Sequence, residues 1–538
     1  MLKIKLVNNG CFQKILLFQA IIFLLSGSLS LLFSQNQETF LKNKYALVIS
    51  AENLKKHLYI LASDAYEGRE TGEKGQKMAA DYISAQFKMT GVSPGASDTA
   101  YFQRFPMDVQ YDKSTSISLN NKEYNLNTDY LAFYGLTAQK VETKDVVFAG
   151  YGIEDVNYSD YKKVKVSNKV VLILDGEPMS KDSFCFVSKS KNHSDWSFNY
   201  RKKEELARKK NATALLVVVN NIDSAYKQYK HRIISKSIKI KSSASSGKEK
   251  IPVIFISKQL ANAIIAKPNS GIDKLEREIA KKKNTISTVF SAHLEITISI
   301  KEKSLTSENV LGYIEGTDRK DELVVITAHY DHLGIESGRI FNGADDDGSG
   351  TAAVIELAEA FARARKEGYG PRRSMLFMTL AGEEKGLLGS EYYTDNPVYP
   401  LKNTVADLNI DMIGRIDEKH KDTINYIYII GSDKLSAELH RINEEQNRQF
   451  SRLKLDYTYN SDSDPNRYYY RSDHYNFAKH AIPVIFYFNG THEDYHKETD
   501  KVNKINFDLL EKRARLVFYT AWELANRNDR VKLDLKQQ

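Results

Sequence analysis

The stretch "LVVITAHYDHLGIESGRIFNGADDDGSGTAAVIELAEAF", residues 323–361, contains three kinds of sequence in close succession. A continuous apolar run ends before His329, a glycine-flanked loop carries three consecutive aspartates, and an apolar face of helical spacing follows in residues 350–361. Continuous apolar runs are typical of strands buried on both faces, and ligands of open α/β sheets bind beyond the carboxyl ends of such strands. The stretch therefore predicts a buried strand, a loop that carries chemistry and an amphipathic helix.

The three aspartates at 345–347 repel one another, so they form either a solvated acidic turn or a cation site. The following Gly348, Gly350 and Ala353 also match the G-x-G-x-x-A pattern of dinucleotide-binding proteins. The aspartates would lie where the phosphates bind and would repel them, which disfavours a nucleotide-dependent oxidoreductase. Glycines that let the chain turn sharply around a metal-binding carboxylate are the favoured interpretation.

The pattern of an apolar run followed by polar side chains recurs three more times. "SMLFMTLAG" precedes Glu383 and Glu384, "TVADLNI" precedes Asp411, and "IPVIFYF" precedes the segment with His492 and His496. A single histidine or acid at a strand end is usually an ordinary loop residue. Four such clusters are expected to converge, and together they form the mixed nitrogen and oxygen ligand set that zinc accepts.

Length and charge limit the function classes. A chain of 538 residues exceeds the size of one usual core and predicts more than one domain. The 77 basic and 69 acidic residues are interleaved along the chain, with a net charge of +8. This mixture disfavours a dedicated nucleic-acid binder, so no nucleic-acid partner is predicted.

The N-terminus has the pattern of a secretory signal. Lysines precede an apolar run at 15–25 and small residues follow it, which predicts export to the periplasm or beyond, with cleavage after Ser28 or Ser34. An uncleaved anchor over 15–33 is the alternative, whereas cleavage would leave no stable membrane association. The cleaved chain would keep only Cys185 and form no internal disulfide.

Residues 111–300 differ from the rest of the chain in their sequence pattern. Short strand-like runs such as "KVVLILDG" and "IPVIFIS" alternate with lysine-rich segments, which predicts a second, β-rich compact unit. No cluster of histidine, cysteine and carboxylates with ligand spacing is evident there. Before this unit, "GVSPG" matches the G-x-S-x-G of serine hydrolases, but it follows a helical pattern and contains proline, so Ser93 is predicted to be a loop residue.

Five ordered motifs carry a family resemblance: "HYDHLG", "GADDDGSG", "AGEEKGLLGS", "NIDMIGR" and "YHKETD". The chain resembles the co-catalytic di-zinc aminopeptidases of metallopeptidase family twenty-eight, whose relatives include glutamate carboxypeptidases and the transferrin receptor. "EGRETG" and "SDHYNF" also resemble bacterial members, and "VVFAGYGI" with "KVVLILDGEP" resembles the protease-associated domain often inserted in this family.

The resemblance implies an α/β fold with a mixed, largely parallel central sheet flanked by helices and interrupted by a β-rich protease-associated domain. The expected organisation follows from it: signal peptide 1–34, peptidase segments 36–110 and 301–527, insert 111–300 and charged tail 528–538.

The same resemblance implies two Zn²⁺ ions and their ligands. His329 and Asp411 would hold one ion, Glu384 and His496 the other, and Asp346 would bridge them. No ligand position is missing.

The resemblance also implies roles for residues beside the ligands. Asp331 would orient the imidazole of His329, and Glu383 would be the general base. In the family, the bridging aspartate precedes a cis peptide bond, which here would join Asp346 to Asp347.

The implied activity is that of a secreted zinc exopeptidase that releases N-terminal residues from peptides. A carboxypeptidase acting on acidic dipeptides is the alternative within the family and would use arginines near the metals, for which Arg415 and Arg471 are candidates. A non-catalytic binding module is a third hypothesis, which loss of ligands would mark.

Several further residues stay open between a role in the site and ordinary packing. They are His332, His474, His492 and the tyrosines 468–470. The sequence indicates no oligomeric state.

Overall fold

The computed structural model describes most of the chain after residue 36. The described ranges are 37–97, 99–133, 138–180, 182–234, 237–241, 250–266, 271–282 and 284–534. The predicted signal or anchor segment lies outside them. None of the helices in these ranges is both long and apolar enough to cross a bilayer.

The chain divides into two compact units. The first comprises residues up to 105 and from 306 onward, and the second comprises 106–305. The boundaries expected from the sequence, at 110 and 300, lie close to these positions.

Seven described strands form the main path of the sheet of the first unit, in the order β6-β5-β7-β4-β2-β3-β1. They are β1 (Ser287–Ile314, with 310–314 paired in this unit), β2 (Arg319–His329), β3 (Arg373–Leu380), β4 (Thr404–Ile410), β5 (Tyr426–Ile430), β6 (Lys454–Asp456) and β7 (Val484–Phe488). β7, β4, β2 and β3 are mutually parallel neighbours, whereas β1 and β5 run antiparallel to β3 and β7. The predicted mixed, largely parallel sheet is confirmed.

Helices cover this sheet and bury its apolar strands. They are α1 (Ala51–Leu61), α2 (Lys74–Thr90), α3 (Gly350–Lys366), α4 (Leu388–Asp395), α5 (Ala437–Gln446), α6 (His474–Lys479) and α7 (Phe507–Asn526). The apolar face predicted for α3 is buried, and its Phe361 packs on Phe377 of β3 and Phe518 of α7. α3 therefore fixes the aspartate loop, which directly precedes it, against the sheet.

Ser93 differs in detail from its prediction. It forms the two-residue strand Ser93–Pro94 opposite Tyr313 of β1, instead of lying in a loop. Its side chain is exposed and follows α2, so it does not occupy the strand-to-helix turn that a serine hydrolase needs.

The second unit contains four parallel strands in the spatial order Gln139–Ala149, Val170–Leu174, Ala214–Val218 and Val253–Ile256. Both outer strands of this set have an antiparallel neighbour: Gln139–Ala149 pairs with residues 287–298, and Val253–Ile256 pairs with Tyr130–Ala132. The long strand Phe102–Leu119 pairs with Lys122–Tyr124 and with Ser237–Ile240. The described residues of this unit also include the α-helices Tyr200–Lys209, Ile222–Ile234, Lys258–Ile265 and Ile272–Lys282. Its identity as a protease-associated domain stays a prediction.

Candidate metal centre

The predicted polar clusters meet at one edge of the sheet of the first unit. His329 is the last residue of β2, Asp411 follows β4 directly, and Glu383 and Glu384 follow β3 by three and four residues. Because β2, β3, β4 and β7 are parallel, their carboxyl ends lie side by side. The loop after β7 adds His496 from the same edge.

His329, Asp346 and Asp411 form the first group of potential ligands. The Nε2 atom of His329 lies 3.3 Å from Oδ1 of Asp346 and 3.6 Å from Oδ1 of Asp411. All three side chains are buried. Two ligand atoms of one tetrahedral zinc lie about 3.3–3.5 Å apart, so this group has the spacing that a single ion requires.

The second carboxylate oxygen of Asp346 faces a different group. Its Oδ2 lies 3.1 Å from Nε2 of His496, which itself lies 3.2 Å from Oε2 of Glu384. The two oxygens of Asp346 thus face two separate histidines, as a bridging carboxylate does. The structure brings the five predicted ligands together.

The three consecutive aspartates have different partners. Asp345 accepts a hydrogen bond from the main-chain nitrogen of Gly414 at 2.7 Å, and Asp347 accepts one from that of Met412 at 3.0 Å. Both bonds tie the aspartate loop to the segment after β4. Of the three, Asp346 is the one whose carboxylate faces His329 and His496, and its peptide bond to Asp347 is cis, as the family resemblance implies.

Arg69 of the "EGRETG" segment holds the two ligand-bearing loops, a role that the sequence did not reveal. Its buried guanidinium donates hydrogen bonds to the carbonyls of Tyr330 at 2.7 Å, Asn342 at 2.7 Å and Gly343 at 2.9 Å. These carbonyls flank His329 on one side and the aspartates on the other. A charged residue inside a glycine-containing motif was the only signal in the sequence.

Asp331 lies between the first histidine and Glu383. The Nδ1 atom of His329 is 3.2 Å from the main-chain oxygen of Asp331 but 3.9 Å from its carboxylate, which is too far for a hydrogen bond. The carboxylate accepts instead from the main-chain nitrogen of Glu383 at 3.2 Å and from the hydroxyl of Thr71 at 2.6 Å. The carboxylate of Asp331 therefore contacts the main chain of Glu383, whereas only its main-chain oxygen lies near His329. The expected role of this carboxylate in orienting the imidazole of His329 stays a prediction.

Burial and charge perturb the titration of the site. Burial raises the pKa of Glu383 well above its ordinary value; the charge of His329 opposes this shift and that of Asp411 adds to it. Burial acts in the same direction on Asp346, but the imidazoles of His329 and His496 hold its pKa well below the ordinary range. The carboxylates of Glu384 and Asp346 outweigh burial at His496 and raise its pKa to about 11. The shifts of Glu383 and His496 both favour the protonated form, whereas that of Asp346 favours the carboxylate.

A cavity adjoins these groups, with an apolar wall and one arginine. Its lining includes the predicted ligands Asp346, Asp411 and His496, together with Glu383, Met412, Tyr468, Arg471, Phe486, Phe488, Thr491 and Tyr495. Arg415 does not line the cavity, because its guanidinium pairs with Asp494 at 2.9 Å.

The remaining open residues have separate places. Tyr468 lines the cavity, whereas neither Tyr469 nor Tyr470 is among its lining residues. His474 does not line the cavity either, and its ring packs on that of Phe486 with centroids 4.8 Å apart. His492 lies against the aspartate loop, with its Nε2 atom 3.2 Å from Oδ2 of Asp345. His332 lies inside the second ligand group, with its Nδ1 2.8 Å from Oε1 of Glu384.

The prediction that the middle unit has no group with ligand spacing was wrong. Nε2 of His293 lies 3.0 Å from Glu142 and 3.9 Å from Glu295, because antiparallel pairing sets the two glutamates opposite each other. Lys140 forms an ion pair with Glu295 at 3.1 Å, and the side chain of Glu142 is exposed to solvent. Distant residues meet here through strand register, which sequence spacing does not show.

Comparison with known proteins confirms the family resemblance. Residues 309–521 match the sequence model of Peptidase family M28. A probable zinc metalloprotease of Pyrenophora teres f. teres (strain 0-1) is 26% identical over 289 residues, covering 47% of this chain and 58% of that protein. Aminopeptidase YwaD of Bacillus subtilis (strain 168) is 24% identical over 279 residues, covering 50% and 56%. The matches span little more than half the length of these relatives.

The fold of the chain is also similar to a solved structure. The aminopeptidase from Aneurinibacillus sp. strain AM-1 superposes with a TM-score of 0.56 at 19% identity, covering 92% of this chain and 98% of that one. This likeness concerns the fold.

Proposed function

We propose that this protein is a zinc-dependent aminopeptidase that hydrolyses the N-terminal peptide bond of peptides. The observation that carries the proposal is the carboxylate of Asp346, whose two oxygens face two different histidine and carboxylate pairs with Glu383 beside them. The match to Peptidase family M28 over 309–521 supports the same reaction class.

The donor set fits two zinc ions. His329 and Asp411 would hold one, Glu384 and His496 the other, and Asp346 would bridge them. Oδ2 of Asp346 and Oε1 of Glu384 are buried and have no hydrogen-bond partner among the described residues, although buried carboxylate oxygens are normally paired. Zinc bound there supplies a Lewis acid for the scissile carbonyl and makes water more acidic.

Glu383 would carry out the proton transfers. Its Oε2 lies 3.9 Å from Nε2 of His329, beside the ligands, and Asp331 fixes its main chain. Glu383 would take a proton from the water that adds to the scissile carbonyl carbon. It would pass that proton to the leaving nitrogen as the carbon–nitrogen bond breaks.

The walls of the cavity favour the aminopeptidase over the acidic-dipeptide carboxypeptidase. Met412, Phe486 and Phe488 offer an apolar surface for the side chain of a terminal residue. With Arg415 paired to Asp494, Arg471 is the only arginine among the described residues lining the cavity. The complete ligand set disfavours a non-catalytic binding module.

Hydrolysis of matched substrates tests the proposal. Zinc-loaded protein would be assayed with leucyl and phenylalanyl p-nitroanilides, with their N-acetylated forms and with N-acetylated acidic dipeptides. We expect cleavage of the substrates with a free amino group and none of the blocked forms. Cleavage of the acidic dipeptides alone would establish the carboxypeptidase instead, and no hydrolysis by zinc-loaded protein would contradict both.

Export is the second part of the proposal and rests on the signal-like pattern of residues 1–34. Expression of the full chain in a bacterial host, followed by fractionation and N-terminal sequencing, tests it. We expect exported protein that begins after Ser28 or Ser34. Full-length protein retained in the membrane fraction would support the anchor.

A further inference from the structure

His332 is a buried histidine for which the five-ligand scheme has no role. Its side chain is inaccessible to solvent, in the loop that follows β2. The ring lies directly against Gly343, where a Cβ atom would come within 2.4 Å of the imidazole Cγ. Gly343 also has a φ of +55°, so any other residue would be strained there and would displace the ring. The aspartate loop is thus shaped around His332.

The imidazole of His332 points at the second ligand group. Its Nδ1 lies 2.8 Å from Oε1 of Glu384 and 3.9 Å from Oδ2 of Asp346. The rings of His332 and His496 have centroids 6.0 Å apart and an interplanar angle of 69°, so they approach the same two carboxylates from different directions.

None of the facing atoms has a hydrogen-bond partner among the described residues. This holds for both ring nitrogens of His332, for Oε1 of Glu384 and for Oδ2 of Asp346. His332 Nδ1 lies only 2.8 Å from Oε1 of Glu384, yet neither atom makes a hydrogen bond within the described part of the chain, which argues against a role as a simple donor to Glu384. A buried nitrogen and two buried oxygens that fit within 4.8 Å of one another have the arrangement of ligands around one cation.

We infer that Nδ1 of His332 is a further ligand of the second metal ion, in addition to Asp346, Glu384 and His496. The inference rests on the proposed dinuclear site and gives its two metal positions different ligand sets. The first ion would have one imidazole and two carboxylates, whereas the second would have two imidazoles and two carboxylates. Imidazole is a strong ligand for zinc, so the second position should bind zinc more tightly and should depend on His332.

Zinc affinity tests this dependence. Metal-free His332→Gln, which keeps much of the side-chain volume, and His332→Ala would be titrated with zinc against a chromophoric chelator, beside the unchanged protein. Loss of a residue that only hydrogen-bonds to a metal ligand lowers metal affinity about 10- to 100-fold. Removal of a direct ligand should therefore lower the zinc affinity of one of the two sites by more than that. The other site should change little.

His474→Gln is the matched control. His474 is equally buried, packs on Phe486 and belongs to none of the metal-ligating groups in the described parts of the chain. We expect it to leave both zinc affinities unchanged. Circular dichroism of each metal-free variant verifies that the fold is retained.

X-ray absorption of the zinc-loaded protein counts the imidazoles directly. Three histidines over two ions give about 1.5 imidazoles per zinc, whereas two histidines give about 1.0. We expect about 1.5 in the unchanged protein and about 1.0 in His332→Gln at full zinc loading.

The outcomes separate the two proposals. Two bound zinc ions with about one imidazole each, or unchanged affinities in both His332 variants, would overturn the role of His332 and leave the aminopeptidase standing. Failure of the unchanged protein to bind two zinc ions would overturn the dinuclear site itself.

Discussion

Two loops of the molecule each bury an aspartate among glycines, and the two carboxylates have different kinds of partner. In the insert, the fully buried Asp160 accepts hydrogen bonds from the main chain of Tyr151 at 3.0 Å and Ile153 at 3.1 Å, and from the hydroxyls of Tyr158 at 2.8 Å and Thr285 at 2.6 Å. In the first unit, the carboxylate of Asp346 faces imidazoles, and its Oδ2 has no hydrogen-bond partner among the described residues.

The difference separates a carboxylate that is fully hydrogen-bonded within the fold from one that, under the proposed function, would hold a metal ion. Neutral donors fixed by the backbone satisfy a buried carboxylate permanently, so Asp160 requires nothing from outside the chain. Asp346 has imidazoles and neighbouring acids around it instead of such fixed neutral donors, and under the proposed function its carboxylate would bind a cation. Burial alone therefore does not identify a functional acid; the kind of partner does.

Metal removal should produce the largest contrast between the two regions. Exhaustive chelation should abolish peptide hydrolysis, and zinc should restore it. It should also lower the stability of the first unit alone, because a ligand that binds only the folded state stabilises it. The two tryptophans report the units separately, since Trp522 lies in the first unit and Trp196 in the insert. Hydrolysis that survives chelation would contradict the metal centre.

Glu383→Gln should have the next largest effect. Loss of a general base costs about 10²–10⁴-fold in rate, so kcat should fall by that factor. Zinc content should stay unchanged, because Glu383 is not among the proposed ligands. Metal analysis and steady-state kinetics test this, with the exposed Glu391→Gln as control. A variant that retains its rate would assign proton transfer to another group.

The pair Asp346→Asn and Asp160→Asn tests the comparison directly. Asp346→Asn should lower the bound zinc to fewer than two ions per chain. Asp160→Asn should leave zinc content unchanged and should lower the free energy of unfolding of the insert by about 1–3 kcal/mol, because it disturbs buried hydrogen bonds. Metal analysis and urea unfolding distinguish them. Loss of zinc in the Asp160 variant would show that the two regions are not independent.

The pH dependence of stability should show the smallest effect. Lys203 is buried in the insert and donates to the carbonyl of Gly176, and burial lowers its pKa to about 8. The unfolded chain then binds more protons than the folded one between pH 8 and about 10.4, so stability rises with pH in this range. Relative to Lys203→Met, the gain should reach at most about 1.4 kcal/mol per pH unit.

Fluorescence of Trp196 during urea unfolding, in a Trp522→Phe background, measures this slope for the insert alone. Equal slopes for the protein with Lys203 and for Lys203→Met would show that this lysine has an ordinary pKa in the folded state.

Local sequence was sufficient for the buried strands and for the list of acids and histidines at their ends, whereas the mixed, largely parallel sheet was implied by the family resemblance. The apolar runs before His329, Glu383 and Asp411 are strands buried on both faces, and this pattern needs no knowledge of distant residues. The roles assigned to the predicted site residues stay predictions, although the structure brings these residues together.

Other features could not be derived from spacing. Thr71 and Arg69 lie about 260 residues before the loops that they hold, and their identity as ordinary polar residues gives no hint of the contact. The helices of the insert lie among lysine-rich segments whose polar composition resembles that of loops.

The sequence by itself determined which residues could supply metal ligands and which strands would present them, because hydrophobic periodicity and strand ends are local properties. Only the tertiary structure decided which oxygen of Asp346 faces which histidine, and that His332 joins the second group while His474 does not. Ligand geometry depends on side-chain directions set by packing between distant segments. Distances of a few ångströms between such segments are fixed only when the whole core is assembled.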